Sequence, residues 1–226
     1  RYDCDLEKTV DNLVDGSFFN SGQSCCGIER IYVDEKIFDS FLELFISKTY
    51  NYKLGNPLEQ ENNLGPVVKL SAAEFIINQM NKALDKGAKK MIDENKFHFP
   101  KEHKNYLVPQ ILTNVTHEMD FMTEETFGPC VGIMKVSDEN EAVKLMNDSP
   151  YGLTASIWTN DVEIAEKIGN QVQTGTFFMN RCDYLDPALS WTGVKETGKG
   201  CSLSEIAYEK LTACLLYTSP SPRDDG

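Results

Sequence analysis

Segments with the hydrophobic period of a β-strand alternate along this chain with segments that have the period of an α-helix. The strand-like segments lie at about 28–33, 88–92, 106–112, 130–136, 153–159 and 176–180. The helical segments lie at about 5–19, 35–50, 71–86, 138–147 and 161–172, and a last helix is expected to end near 212. This alternation is typical of the α/β class, so we predict a largely parallel, twisted sheet flanked by helices.

Local signals predict where several of these elements begin and end. Asp5 is expected to cap the first helix, and Gly87 is expected to end the third in a left-handed conformation. Two Ser-x-x-Glu patterns, which begin at Ser71 and Ser202, predict capping boxes for the third and last helices. Pro109 inside the segment 106–112 predicts an edge strand or a bulge, because proline cannot donate to a sheet ladder.

Charge and hydropathy exclude several classes of partner. The chain has 226 residues and a formal net charge of −13. A surface of that sign repels nucleic acid and anionic membranes, so we expect neither as a partner. No apolar run approaches the roughly 20 residues that span a bilayer, and the first residues do not resemble a signal peptide. We therefore expect a soluble protein.

The cysteines and histidines indicate neither disulfides nor a metal. The seven cysteines are odd in number, are scattered, and form no CxxC pair. This usage argues against a disulfide framework and against a zinc site, and it favours a reducing compartment, which predicts a cytoplasmic location. His98, His103 and His117 lack the HxxxH spacing of a metal site, so no metal is expected.

Residues 18–33, FFNSGQSCCGIERIYV, carry the most specific chemistry in the chain. Cys25 and Cys26 lie in a run of small and polar residues, which lets another molecule approach a thiol closely. A thiolate is a strong nucleophile when its pKa is lowered and it is partly exposed. The alternative is that both are buried cysteines without a chemical role, which is the usual fate of an isolated cysteine.

Two further segments could carry chemistry. Residues 119–131, MDFMTEETFGPCV, place Glu124 and Glu125 before a Gly-Pro turn, where two carboxylates can equally be a solvated turn. Residues 181–201 show no clear secondary structure, and a loop of that length is usually functional or disordered. Tyr184 and Trp191 argue against disorder, and the alternative to a functional loop is a packed surface loop with an aromatic anchor.

These motifs together resemble the aldehyde dehydrogenase family. Its Gly-Gln-x-Cys signature matches residues 22–25, which implies that Cys25 is the nucleophile. Its Glu-Glu-x-Phe-Gly-Pro segment matches residues 124–129 and implies that Glu125 binds the nicotinamide ribose and that Phe127 packs beside the ring. The segment WTGVKETGKG at 191–200 resembles, in part, a wall of the substrate tunnel. We therefore expect Cys25 to open into a pocket that Glu125 and Phe127 face.

The resemblance also implies an activity and a domain organisation. It implies NAD- or NADP-dependent oxidation of a small-molecule aldehyde to a carboxylic acid, through a thiohemiacetal and a thioester on Cys25, in a homo-oligomeric parent protein. Residues 1–212 correspond to the catalytic domain of a partial protein whose N-terminal cofactor-binding half is absent, so this fragment alone is expected to be inactive. Residues 213–226 are expected to be a disordered or foreign tail.

Other functions remain open at this stage. An inactive fragment or a structural relative of the family would share the fold without the turnover. A CoA-acylating aldehyde dehydrogenase would differ in what attacks the thioester. A cysteine hydrolase or transferase would combine Cys25 with a histidine and would need no nicotinamide.

Overall fold

The computed structural model describes residues 1–99, 102–182 and 184–212. Seven α-helices are defined in these ranges: α1 Leu6–Phe18, α2 Phe38–Thr49, α3 Leu70–Asp85, α4 Asp120–Thr123, α5 Glu139–Asn147, α6 Val162–Gly169 and α7 Ile206–Leu211. The strands in the same ranges are β1 Arg30–Asp34, β2 Lys89–Lys90, β3 Gln110–Thr113, β4 Cys130–Val136, β5 Thr154–Ile157, β6 Thr176–Met179, β7 Trp191–Thr192 and β8 Cys201–Ser202. Within the described part of the chain, no helix has the length and apolar character needed to cross a bilayer.

A four-stranded sheet organises the first two thirds of the chain. Its strand order is β1-β4-β3-β2; β1 and β3 both run parallel to β4, and β2 is antiparallel to β3. A second sheet pairs β5 with β6 in parallel, and β7 pairs with β8 in antiparallel fashion. Helices lie between most of these strands along the chain. The predicted α/β fold with a largely parallel sheet flanked by helices is therefore confirmed.

Helix α1 forms because its N-terminus is capped and its apolar residues repeat at helical spacing. The Asp5 carboxylate accepts a hydrogen bond of 3.2 Å from the Lys8 backbone N–H, as predicted. The buried face, which packs in one core with residues of α2, β1 and β4, consists of Val10, Leu13, Val14 and Phe18. Burying each of these side chains stabilises the fold by about 1.5–3 kcal/mol. This packing fixes the end of α1 from which the cysteine-containing segment departs.

The two predicted capping boxes are wrong, whereas the glycine signal at the end of α3 is confirmed. Helix α3 begins at Leu70, so Ser71 already lies inside the first turn, and the cap residue Lys69 makes no side-chain capping bond. Helix α7 begins only at Ile206, too late for Ser202 to cap it. Gly87 follows α3 with a φ of +101°, a conformation that favours glycine.

Pro109 does not mark an edge strand, contrary to the prediction. Strand β3 lies between β4 and β2, and it begins one residue after the proline. Its first residue, Gln110, donates its backbone N–H to the carbonyl of Pro129 at 2.9 Å. The missing N–H of Pro109 therefore precedes the ladder and removes no hydrogen bond from it.

The side chain of Gln110 joins β3 to the segment after β2. Its Oε1 accepts from the backbone N–H of Ile92 at 2.9 Å and of Ile111 at 3.0 Å, and its Nε2 donates to the carbonyl of Ile92 at 3.2 Å. Gln110 is almost fully buried. Water therefore cannot replace these bonds.

We expect Gln110→Leu to lower the free energy of unfolding by about 2 kcal/mol or more, because buried backbone groups of Ile92 lose their partners. Urea unfolding measures this change. The control is Gln171→Leu, since Gln171 is exposed and its amide donates only to the Lys167 carbonyl one turn earlier. Equal losses in the two variants would contradict the role given to Gln110.

Candidate active site

The two segments with candidate chemistry meet at one edge of the main sheet. The segment 19–29 leads into β1, and the segment 124–129 leads into β4. Because β1 and β4 are parallel, both segments lie at the amino ends of neighbouring strands. Ligands of open α/β sheets usually bind at the carboxyl ends, so the strand order alone would have indicated the opposite edge.

The cysteine-containing segment, here called the thiol loop (residues 19–27), has an unusual backbone. Asn20, Ser21 and Gly22 have φ values of 52°, 58° and 70°. Three consecutive left-handed residues are uncommon, and a non-glycine residue in this region is strained. This conformation reverses the chain between α1 and the cysteines. Contacts with the surrounding structure must therefore hold it.

The neighbouring segment 65–68 supplies part of that support. The Ser21 hydroxyl donates to the carbonyl of Gly65 at 2.7 Å. The amide of Gln23 donates to the carbonyl of Pro66 at 3.3 Å and accepts from the backbone N–H of Val68 at 2.8 Å. Gln23, which belongs to the Gly-Gln-x-Cys pattern, is therefore a structural link between two loops in this fold.

Gly22 and Gly128 bring the two candidate segments into backbone contact. A Cβ atom at Gly22 would collide with the carbonyl oxygen of Gly128, and one at Gly128 would lie 2.5 Å from Cδ1 of Ile76. Gly22 therefore requires glycine both for space and for its positive φ, whereas a side chain at Gly128 would have to displace the end of the Ile76 side chain. The thiol loop rests directly on the segment that carries Glu124 and Glu125.

The adjacent cysteines lie in different surroundings. Cys25 is exposed and lines a cavity of about 470 Å³, and Glu125 lines the same cavity. Cys26 is buried, with its Sγ 3.3 Å from the hydroxyl of Ser24. Phe127 is 39% exposed and is not among the residues that line this cavity. The structure thus brings Cys25 and Glu125 together and places Phe127 outside the cavity lining.

Glu29 is a residue of this site that the sequence did not single out. It lines the cavity, and its carboxylate accepts from the backbone N–H of Thr126 at 3.0 and 3.1 Å and of Phe127 at 2.8 Å. Burial raises the pKa of Glu29 above its ordinary value, and the hydrogen bonds from Phe127 and Thr126 oppose that rise. No sequence signal was available for it, because its partners are backbone amides of a distant segment.

The second half of the segment 181–201 contains secondary structure that the sequence did not predict, since β7 at Trp191–Thr192 pairs with β8, which begins at Cys201. It is tied to the loop before β5. The Lys195 ammonium donates to the carbonyls of Asn147 and Ser149 at 2.7 and 2.9 Å, and the Thr197 hydroxyl accepts from the Gly152 backbone N–H at 2.9 Å. Thr197 also lines the cavity with Cys25. This segment therefore forms part of the cavity wall.

His117 lies in a hydrogen-bonded group of its own. Its Nδ1 is 2.9 Å from a carboxylate oxygen of Asp148, and its Nε2 is 2.9 Å from the hydroxyl of Tyr32. Burial raises the pKa of Tyr32 to about 12, so this hydroxyl keeps its proton. Across the described residues, no three His, Cys, Asp or Glu side chains are grouped so that they could hold a metal ion.

Comparison with known proteins assigns the family. Residues 2–215 match the family model for the aldehyde dehydrogenase family. The chain belongs to the aldehyde dehydrogenase family. The resemblance seen in the sequence motifs is thereby confirmed.

Curated relatives show that this aldehyde dehydrogenase chain matches part of a longer sequence. It is 33% identical over 211 residues to 3-sulfolactaldehyde dehydrogenase of Priestia aryabhattai, covering 93% of this chain and 43% of that protein. It is 35% identical over 216 residues to succinate semialdehyde dehydrogenase (NAD(P)+) of Escherichia coli, covering 96% and 46%. The chain thus spans less than half of the length of the curated relatives it matches.

Solved structures share the fold of this aldehyde dehydrogenase chain. Betaine aldehyde dehydrogenase of Staphylococcus aureus, in complex with NAD+, has a TM-score of 0.85 at 30% identity, covering 92% of this chain and 41% of that one. 3,6-Anhydro-L-galactose dehydrogenase in complex with NAP has a TM-score of 0.88 at 29% identity, covering 93% and 44%. The α/β fold is therefore that of the family.

Replacing Gly22 should destabilise the site. We expect Gly22→Ala to lower the free energy of unfolding by about 2 kcal/mol or more, because the new Cβ meets the Gly128 carbonyl at a positive φ. Gly200→Ala is the matched control, since a Cβ at Gly200 meets no atom within 4 Å. Urea unfolding of both variants tests the difference, and equal stabilities would refute the close contact.

The thiols should differ in reactivity. We expect brief treatment with iodoacetamide to alkylate exposed Cys25 before the buried Cys26, Cys130 and Cys182, as read by mass spectrometry of peptides. Burial also raises the pKa of the Cys130 thiol well above its ordinary value, which removes its reactive thiolate. Unfolding in urea is the control and should make all of them react. Alkylation of Cys130 as fast as that of Cys25 in the folded protein would contradict this structure.

Proposed function

We propose that the protein containing this chain oxidises an aldehyde to a carboxylic acid with NAD or NADP, and that Cys25 is its nucleophile. The observation that carries the proposal is the exposed thiol of Cys25 on a cavity that Glu125 also lines. Membership of the aldehyde dehydrogenase family supports it. So do the NAD+ bound in the Staphylococcus aureus structure and the NAD(P)+ in the name of the Escherichia coli relative.

The residues at the cavity fit a nicotinamide dinucleotide. The cavity volume of about 470 Å³ lies in the range of roughly 300–1,000 Å³ that is usual for small-molecule sites. The Glu125 carboxylate, which lines the cavity, could accept hydrogen bonds from two ribose hydroxyls. Phe127 lies outside the cavity lining, so its assignment to the cofactor rests on the family motif alone. A bound nicotinamide would supply the hydride acceptor for oxidation of the substrate carbon held on Cys25.

Cys25 would supply the covalent chemistry. Its thiolate attacks the aldehyde carbonyl, so that a carbon–sulfur bond forms and the carbonyl oxygen becomes an oxyanion. Backbone N–H groups would have to stabilise that charge. After oxidation the acyl group is held as a thioester, and attack by a water molecule with a general base releases the acid and the thiol. A thioester is easier to hydrolyse than the ester that serine would form.

The same proposal covers the domain organisation of the protein, its partners, its assembly and its location. We assign residues 1–212 to a catalytic domain; the predicted tail, 213–226, lies outside the described residues. The substrate is a small aldehyde, and neither nucleic acid nor a membrane is a proposed partner. A homo-oligomeric assembly and a cytoplasmic location stay predictions.

The residues that line the cavity bear differently on the three alternative functions. None of the described residues that line it is a histidine, which leaves a cysteine hydrolase without a histidine base there. A CoA-acylating dehydrogenase would use the same thiol and cavity, and only the group that attacks the thioester would differ. An inactive relative would keep the fold and show no turnover.

We expect Cys25→Ser in the complete protein to lower the rate of aldehyde oxidation by at least about a thousandfold, because the hydroxyl is a much weaker nucleophile. Dinucleotide binding should be largely unchanged. The assay follows the formation of reduced nicotinamide. It is run without coenzyme A to measure the hydrolytic route and with coenzyme A to measure the acylating route. Cys201→Ser is the control, since Cys201 lies in β8 and is not among the residues lining this cavity. Turnover retained in Cys25→Ser would remove Cys25 from the proposed role.

A further inference from the structure

We propose that Glu29 is a positioning residue for the dinucleotide, because its carboxylate fixes the backbone of the segment 125–127 at the cavity. The inference rests on the proposed function, since it assigns Glu125 and Phe127 to cofactor binding. Glu29 itself needs no contact with the cofactor. It acts through the loop that carries the two cofactor-binding candidates.

The hydrogen bonds show how one carboxylate fixes this loop. Both oxygens of Glu29 accept from the Thr126 backbone N–H, and Oε1 also accepts from the Phe127 backbone N–H. These two amides directly follow Glu125 in the chain. Hydrogen bonds to an ionised acceptor are stronger than those to a neutral one. Glu29, the residue before β1, therefore fixes the direction of the backbone that follows Glu125.

The conformation at Phe127 requires such an anchor. Its φ is +55°, a region in which a bulky aromatic residue is strained. The bond of 2.8 Å from its own N–H to Glu29 offsets part of that strain. On the other side, the Thr126 hydroxyl donates to the amide oxygen of Gln79 on α3 at 2.7 Å. The loop is thus held between α3 and the residue before β1.

Neighbouring charges make the ionised state of Glu29 sensitive to pH. Desolvation is the largest cause that raises the pKa of Glu29, and the charge of Glu125 raises it further, whereas Arg30 lowers it. The buried thiol of Cys130 is close enough for its own pKa to be raised by Glu29. Protonation would convert one of the accepting oxygens into a donor that faces backbone N–H groups. Acidification through the raised pKa should therefore loosen the loop.

The test compares the complete protein with its Glu29→Gln variant. Glutamine keeps the size and can keep an oxygen at the Oε1 position, but it removes the negative charge and the bond of 3.1 Å from the Thr126 N–H to Oε2, so the two amides lose their ionised acceptor. We expect the KM for the dinucleotide to rise about tenfold while the KM for the aldehyde changes much less, because only the cofactor-binding loop is loosened. In the wild type the KM for the dinucleotide should rise as the pH falls, and in the variant it should be nearly independent of pH. Glu43→Gln, an exposed change on α2, is the control and should match the wild type.

The outcomes separate this inference from the proposed function. A wild type without dinucleotide-dependent turnover would overturn the proposed function and, with it, a role of Glu29 in cofactor binding. An active wild type with an unchanged dinucleotide KM in Glu29→Gln would overturn the inference alone. Hydrogen exchange at the amides of Thr126 and Phe127 distinguishes the remaining cases. Faster exchange together with a raised KM supports the positioning role, and faster exchange with an unchanged KM makes the contact purely structural.

Discussion

The arrangement of the site depends on the backbone contact between Gly22 and Gly128. Neither residue in this contact has a side chain, so no change of rotamer at either position can alter it. It sets the distance between the thiol loop and the segment that enters β4. The two segments enter neighbouring parallel strands. The pairing of β1 with β4 therefore also fixes the relative positions of Cys25 and Glu125. The site is therefore positioned by main-chain geometry first and by side chains second.

Strain is concentrated at the same place. Asn20, Ser21 and Phe127 all have left-handed backbones within the two segments that meet there. Ser21 is held by the loop before α3 and Phe127 by Glu29, whereas the hydrogen bonds of Asn20 are to Gln23 in the thiol loop itself. Strained residues persist only where their surroundings determine them, and they are frequent at functional sites. Rigidity at the cavity is thus supplied by several distant segments.

The periodicity of the sequence was sufficient to predict the class of the fold and most of its helices and strands. Strand β4 occupies the whole predicted range, and Asp5 caps α1, because both signals are local. The capping box at Ser71 failed because the helix has its cap at Lys69, two residues before Ser71, and the motif alone does not record that shift. Pro109 was wrong as a signal of an edge strand, because the strands that flank β3 are decided by the whole sheet and not by the sequence of β3.

The candidate site was only partly accessible from the sequence. The thiol motif and the Glu-Glu pair are contiguous patterns, so Cys25 and Glu125 could be named as candidates. Glu29 could not, because its partners are backbone amides almost a hundred positions away, and a backbone amide has no sequence signature. The left-handed conformation of Phe127 was hidden for the same reason, since nothing about phenylalanine favours it.

The links made by Lys195 and Thr197 limit how the cavity could open. Lys195 joins the carbonyls after α5, and Thr197 joins Gly152, so the segment around 195 is fastened to the loop that precedes β5. Such a segment cannot swing alone as a lid, because several hydrogen bonds would break at once. A widening of the cavity would therefore have to move both loops together, or leave both in place and occur at another wall.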